Sequence, residues 1–378
     1  MHETLLENEH GGKRIALFGV GDLAVRIAVG LQQRIVPAPQ MVLIGRGAKV
    51  AAMASLVAAM TPLQPPKART VSWVQLDLLD APALHHYLRH QEARLFVNCA
   101  TLRSPWAHTT DSRPLSRALG QLGFGAQLCA QVPPIFALMS AIEEVGLRTP
   151  VINCAFPDAV NPMVAAAGRA PLCGIGNVGM LHRVLATRLP GADVRVTAHH
   201  AQVQLLLTEA CPEYLDAECH IEVDRVHRLW SELTREMSPL PRTVELNSLT
   251  AAHAVDVVEA LIFPQLVRST SVPGPFGAVG GHPCRIRDGR LELLPSMALS
   301  PGGAISLNER AARRDGIARI DDDGTVHFTR HLQEALPEPL GFLGAPMHPS
   351  EAFARFERLE RALASSEVAG IGRESEAP

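Results

Sequence analysis

The chain has 378 residues, 47% of them hydrophobic and 4% aromatic, and carries a formal net charge of −3. That length and apolar content suffice for a full aliphatic core, about two domains' worth. The mixed charge excludes the one-sided basic surface that wraps nucleic acid, and the few aromatic rings leave little surface for stacking bases or sugars.

The opening MHETLLENEHGGKR is polar and acidic, without the basic and apolar regions of a secretion signal. No apolar run approaches the ~20 residues that span a bilayer. Seven cysteines (Cys99, Cys129, Cys154, Cys173, Cys211, Cys219, Cys284) form no C-x-x-C pair, and several lie in apolar runs such as FVNCA and VINCA. They read as reduced thiols, neither a disulfide frame nor a metal site. The expectation is a soluble, cytoplasmic protein that acts on a small molecule, with no membrane partner.

RIALFGVGDLAVRIA sets Gly19-x-Gly21-x-x-Ala24 directly after an apolar strand and at the mouth of a helix beginning at Asp22. Gly19 permits the tight turn, Gly21 lets backbone approach a pyrophosphate, and Ala24 allows close helix–strand packing, with Asp22 and Leu23 in the same turn. The alternative is a tight turn that binds nothing. The second strand, MVLIGRG, ends in Arg46 with Lys49 behind it, where an acidic residue would bind a ribose 2′-hydroxyl. Either these are solvated cations, or they suit a 2′-phosphate and favour NADP over NAD.

A helix from Ala48, the strand TVSWVQLD, a helix over 81–90, the strand RLFVNCA, a long segment from Arg113 to Gly146 and the strand TPVINCA follow. Strands spaced by helical crossovers predict a doubly wound parallel sheet. Residues 12–160 are therefore expected to form a Rossmann-type α/β domain. Cys99, Ala100 and Asn153, at strand ends, are further candidates for cofactor contact.

Past residue 161 the pattern becomes mixed. A helix over 180–189 leads into ADVRVTAHHAQVQLLL, then come CHIEVDRVHRLWSELTREM, a helix in TAAHAVDVVEALIF, and short strands RSTSV, HPCRIRDG and LELLP. This predicts an α+β domain over 161–365. RIDDDGTVHF reads as a tight turn between strands, SPGGAISLNE as entry to a helix, and SEAFARFERLERALASSE as an amphipathic helix before a loose tail, 366–378.

Arg103 and Arg113 sit on the polar loop after the fourth strand, VINCAFPDAVNP follows the fifth, Arg183 lies on the next helix, and VRVTAHH then delivers His199 and His200. This order of features resembles the malate/lactate dehydrogenase family over about three quarters of the chain. The resemblance implies a nicotinamide-linked oxidoreductase, with NADP favoured by Arg46 and Lys49, passing hydride between nicotinamide and a carbon of a small carboxylate-bearing substrate, and a homodimer or homotetramer. It gives His200 the proton exchange, Arg183 the substrate carboxylate, and Arg113 or Arg103 closure over the substrate. Alternate strand residues face opposite sides, so His199 should point away from the pocket that His200 enters.

Two positions depart from the family pattern. Met180 stands where the acidic partner of the histidine belongs, three residues before Arg183, and Phe156 stands where an Asn precedes Pro157; Asp158 or Asn153 are candidates to compensate. Without a carboxylate, His200 would hold its proton less tightly. Two other functions therefore stand beside the dehydrogenase: an imine or opine-type reductase, and a dinucleotide sensor that does no chemistry.

Overall fold

The computed structural model describes residues 14–34, 38–61, 71–208, 216, 219–235 and 237–374. The opening stretch and Cys211 lie outside the described residues.

Strands β1 (Arg14–Phe18), β2 (Gln40–Gly45), β3 (Val71–Gln75), β4 (Leu95–Asn98), β5 (Val151–Asn153) and β6 (Cys173–Gly174) form one sheet in the order β3-β2-β1-β4-β5-β6. Every pairing in it is parallel. Helices α1 (Asp22–Arg34), α2 (Lys49–Ala59), α3 (Ala81–His90), α4 (Ala107–Thr110), α5 (Pro114–Gln121) and α6 (Leu128–Glu144) fill the crossovers. β1 and β4 read as unbroken apolar runs because both faces of a parallel sheet are covered. Strand order reverses between β1 and β4, so a crevice opens beyond their carboxyl ends, where open α/β sheets bind ligands. The expected α/β, doubly wound architecture is present.

After β5 come α7 (Pro157–Ala166), then, past β6, α8 (Val178–Arg188), β7 (Val194–Thr197), α9 (His200–Thr208), β8 (His220–Val223), β9 (Val226–Arg228), α10 (Trp230–Thr234) and α11 (Leu246–Ile262). β10 (Arg268–Pro273), β11 (Gly281–Arg287), β12 (Arg290–Leu293), α12 (Pro301–Ala312), β13 (Ile317–Ile320), β14 (Val326–Phe328), α13 (Arg330–Ala335) and α14 (Ala352–Glu374) complete the described chain. The three sheets of this half are antiparallel.

The parallel sheet takes its last strand, β6, from beyond residue 160. Residues past 161 also close both of its faces: one core joins Phe18, Phe96 and Ile135 to Leu340, Leu359 and Leu363, and the other joins Ile15 and Leu31 to Val255, Val258 and Cys284. A third core, around Leu181, Val196, Ile221 and Trp230, belongs to the second half alone.

Several local expectations meet particular outcomes. RIDDDGTVHF is the β13–β14 hairpin, closed by Asp321 N–H to the Thr325 carbonyl (2.9 Å) with Gly324 at φ 87°. Ser300 caps α12 by accepting from Gly303 N–H at 3.1 Å, with Pro301 at the first helical position. α14 runs through Glu374, so the stretch read as a loose tail continues a helix. One helical stretch, Phe124–Glu144, is 21 residues and apolar enough to cross a membrane, which corrects the reading of the apolar runs; it is 83% buried among its neighbours.

Candidate active site

The crevice at the carboxyl ends of the sheet holds a cavity of about 280 Å³, near the small end of ligand pockets (~300–1,000 Å³). Gly21, Asp22 and Leu23 line it from the first turn, Cys99 and Thr101 from the end of β4, Cys154 and Phe156 from the end of β5, and Gly176, Asn177 and Met180 from the start of α8.

Gly19 has φ +98°, and a Cβ there would stand 2.7 Å from the Ala100 nitrogen, so only glycine fits between β1 and the chain leaving β4. A Cβ on Gly21 would meet nothing within 4 Å, which leaves backbone open to a ligand at the amino end of α1. Asp22 puts a carboxylate at that helix start. Burial pushes its pKa up, but hydrogen bonds from Arg26 (2.8 Å) and Asn247 (2.9 Å) outweigh this and hold it ionised and partnered. Ala24 is buried behind the turn.

The other cofactor candidates divide. Cys99 lines the cavity, whereas Ala100 backs Gly19. Asn153 is fully buried and works inward, accepting from Asn98 Nδ2 (3.0 Å) and donating to Asn161 Oδ1 (2.8 Å). It braces the ends of β4, β5 and α7 and does not line the cavity. Arg46 and Lys49 are exposed beyond β2, clear of the cavity.

His200 opens α9 and lines the cavity. Its Nδ1 lies 3.0 Å from Asp315 Oδ2 and 3.2 Å from Oδ1. Burial pushes the imidazole pKa down, but the Asp315 charge and hydrogen bond, with the Asp158 charge, more than reverse this, so the pKa is raised. Asp315 is itself buried; burial pushes its carboxyl up, and His200 and His199 pull it far below the usual carboxylate range. The expected carboxylate partner exists, but on the turn after α12, not on α8. Phe124 and Phe156 stand edge-on to the His200 ring at 4.2 Å and 5.1 Å and keep water from it.

Of the two candidates to compensate for the departures at Met180 and Phe156, Asn153 works inward, and Asp158 acts differently. Asp158 touches His200 through the backbone, accepting its amide N–H at 3.0 Å, and also bonds the Asn177 side chain. It caps α9 and ties α7 to α8. Phe156, at φ 41°, and Asn177, at φ 44°, hold left-handed backbone beside the cavity, the kind of strain that clusters at functional sites.

His199 is fully buried and does not line the cavity. Its Nδ1 nevertheless lies 3.3 Å from Asp315 Oδ2, so the two histidines converge on one carboxylate. Strand alternation does not govern this pair, because β7 stops at Thr197 and His200 already belongs to a helix.

The three arginines expected to hold substrate are engaged elsewhere. Arg183 pairs with Asp256 on α11, in a cluster with Arg34 and Arg268, and does not line the cavity. Arg103 and Arg113 both bind Asp111, at 2.6 Å each, and Arg103 also reaches Ser116 (2.6 Å) and Glu360 on α14 (3.4 Å). The loop therefore approaches the cavity through Thr101, Ser104, Trp106 and His108 instead. Among the described lining residues the one arginine is Arg242, which sequence reasoning did not single out.

No family model matches the chain, and no curated protein matches it. Among solved structures it is similar to a lactate dehydrogenase from Eimeria maxima with NADH and oxamate, at 14% identity and TM-score 0.45, over 79% of this chain and 92% of that one. It is also similar to a UDP-glucose-4-epimerase from Stenotrophomonas maltophila with bound NAD and formylated UDP-arabinopyranose, at 14% identity and TM-score 0.28, over 39% of this chain. This chain spans 38% of the epimerase chain. Likenesses of this strength leave the chemistry to the residues of the site itself.

Proposed function

We propose that the protein is a nicotinamide-dinucleotide-dependent oxidoreductase acting on a small carbonyl or hydroxyl compound. The observation that carries this reading is the His200–Asp315 pair at 3.0 Å, facing a cavity that the glycine turn also lines. The cofactor would supply hydride exchange at its nicotinamide ring.

Gly19, Gly21 and the amino end of α1 would hold the pyrophosphate, with Cys99 and Leu23 beside the cavity. Arg46 and Lys49, beyond β2, favour a 2′-phosphate and hence NADP. His200 bonds Asp315 through Nδ1, so Nε2 is the atom left to give a proton to, or take one from, the substrate oxygen. Asp315 fixes the tautomer and stabilises the imidazolium, while Phe124 and Phe156 exclude water. The imine or opine-type reading drew its support from a missing carboxylate, and Asp315 removes that ground. A sensor without chemistry would have no use for this proton relay.

Calorimetric titration with NADP and with NAD tests the reading. NADP should bind more tightly, and Arg46→Ala should narrow the difference. No binding of either cofactor would sink the proposal, as would NADP binding with no turnover of any oxo or hydroxy compound and no effect of His200→Ala.

A further inference from the structure

FVNCA and VINCA end the neighbouring strands β4 and β5 in the same Asn-Cys-Ala. Asn98 and Asn153 stand in register, joined side chain to side chain at 3.0 Å. Each also turns its own chain in the same way: Asn98 Oδ1 accepts from Ala100 N–H at 3.3 Å, and Asn153 Oδ1 from Ala155 N–H at 3.0 Å. Matching turns thus hold Cys99 and Cys154, and because side chains alternate along a strand, both thiols leave the face opposite the asparagines. There they line the cavity together.

Cys154 N–H bonds the Asn98 carbonyl at 2.8 Å, so the ladder between the strands continues to the cysteines. Neighbouring strands lie about 4.8 Å apart, inside the roughly 4.4–6.8 Å that Cα atoms span across a disulfide. The Cys154 thiol donates to the Cys99 sulfur; that bond, then desolvation, push the Cys154 pKa well above the ordinary thiol value. Cys154 therefore keeps its proton, and Cys99 is the sulfur placed to attack. Cys129, Cys173, Cys219 and Cys284 are buried, whereas Cys99 and Cys154 are part-exposed. Cys173 pairs with Ile152, two residues short of Cys154. At ~3.3 Å per residue along the strand and about 4.8 Å across, it stands roughly 8 Å from Cys154, too far to bridge.

We propose that Cys99 and Cys154 form a modification site, a dithiol on the cavity wall that small disulfides oxidise reversibly to a Cys99–Cys154 bond, with Cys99 attacking first. The Cys99 thiolate attacks one sulfur of the oxidant, whose S–S bond breaks and releases one thiol, leaving a mixed disulfide on Cys99. Cys154 then gives up its proton and attacks the Cys99 sulfur, forming the Cys99–Cys154 bond and expelling the second thiol. Two cysteines are oxidised, one external disulfide is reduced, and the two cysteine protons end on the released thiols. The bond ties the carboxyl ends of β4 and β5 together beside the cavity.

The test incubates the full chain with bis(2-hydroxyethyl) disulfide and maps the products by peptide mass spectrometry. No dinucleotide is added, so the outcome is independent of the oxidoreductase reading. The wild type should yield a peptide linking Cys99 to Cys154, with no part of the oxidant attached, and dithiothreitol should return both thiols. Cys154→Ala should stop at a mixed disulfide on Cys99, and Cys99→Ala should cut modification of Cys154 at least tenfold. The proposal is overturned if the wild type keeps both thiols reduced, retains a mixed disulfide on either, or bridges one of them to Cys173. Attack on Cys154 in C99A as fast as closure in the wild type overturns it as well.

Discussion

A Cβ on Gly125 would stand 2.5 Å from the Asp315 carbonyl oxygen. Glycine at 125 is thus what lets the segment carrying Phe124 lie against the turn that presents the carboxylate to His200. Gly125→Ala must push one of the two backbones aside, an overpacking that costs about 1–3 kcal/mol. Denaturant unfolding should read this loss, and the His200 titration followed by NMR should shift to lower pH as Asp315 is displaced.

Asp315→Asn isolates the charge from the packing. Burial and Arg242 both push the His200 pKa down, and with the carboxylate gone nothing of equal size opposes them. His200 should then titrate below the ordinary histidine value of about 6.5 instead of above it. In the wild type the raised pKa contributes stability that is fully present below about pH 6.5 and is lost as pH rises through the folded-state value. That alkaline-side slope should disappear in D315N. A slope common to both proteins would show that His200 is not its source.

On the acid side, two other histidines work in the opposite direction. Burial depresses His182 to about 4; burial, then the charge of His182, depresses His253 to about 3. Both are held neutral, His253 with Nε2 3.2 Å from Thr270 Oγ1. The unfolded chain binds their protons first, so stability should fall as pH drops from about 6.5 towards these values, by up to about 1.4 kcal/mol per histidine per pH unit. Melting temperature against pH for wild type and His253→Gln checks this, the variant showing the shallower decline.

The two glycines of the first turn should separate folding from binding. Gly19→Ala meets backbone at 2.7 Å and places a Cβ at φ +98°, so it should lower stability by ~1–3 kcal/mol. Gly21→Ala meets nothing within 4 Å and should leave the melting temperature unchanged, while dinucleotide affinity falls at least tenfold. Thermal melts paired with NADP titration distinguish the two outcomes.

Arg183→Gln tests the separation of Arg183 from the cavity. It removes one of three cations around Asp256 and leaves Arg34 and Arg268 in place, so the stability loss should stay within about 1 kcal/mol. Substrate KM should not move. A tenfold rise in KM with unchanged kcat would return Arg183 to the substrate site.

What the sequence disclosed follows from range. The strands, crossovers and glycine turn were legible because their signals are local: RIALFGVGDLA carries strand, turn and helix start within eleven residues. His200 was legible by its place in the chain, but its partner lies 115 residues away, and nothing around Asp315 marks it. Arg183 failed for the same reason, since Asp256 is 73 residues distant. Arg113 had a nearer warning, because Asp111 stands two residues before it on the same loop. The opposite-faces argument for the two histidines assumed a strand that the chain leaves at Thr197.

The cores shared across residue 160 mean that the parallel-sheet half is not closed by its own residues. Cutting the chain there would strip Leu340, Leu359 and Leu363 from one face of the parallel sheet and Val255, Val258 and Cys284 from the other. It would also remove Asp315 from His200. The His200–Asp315 pair and the closure of the sheet thus depend on the same late-synthesised segment: until the last third of the chain has been made, neither can exist.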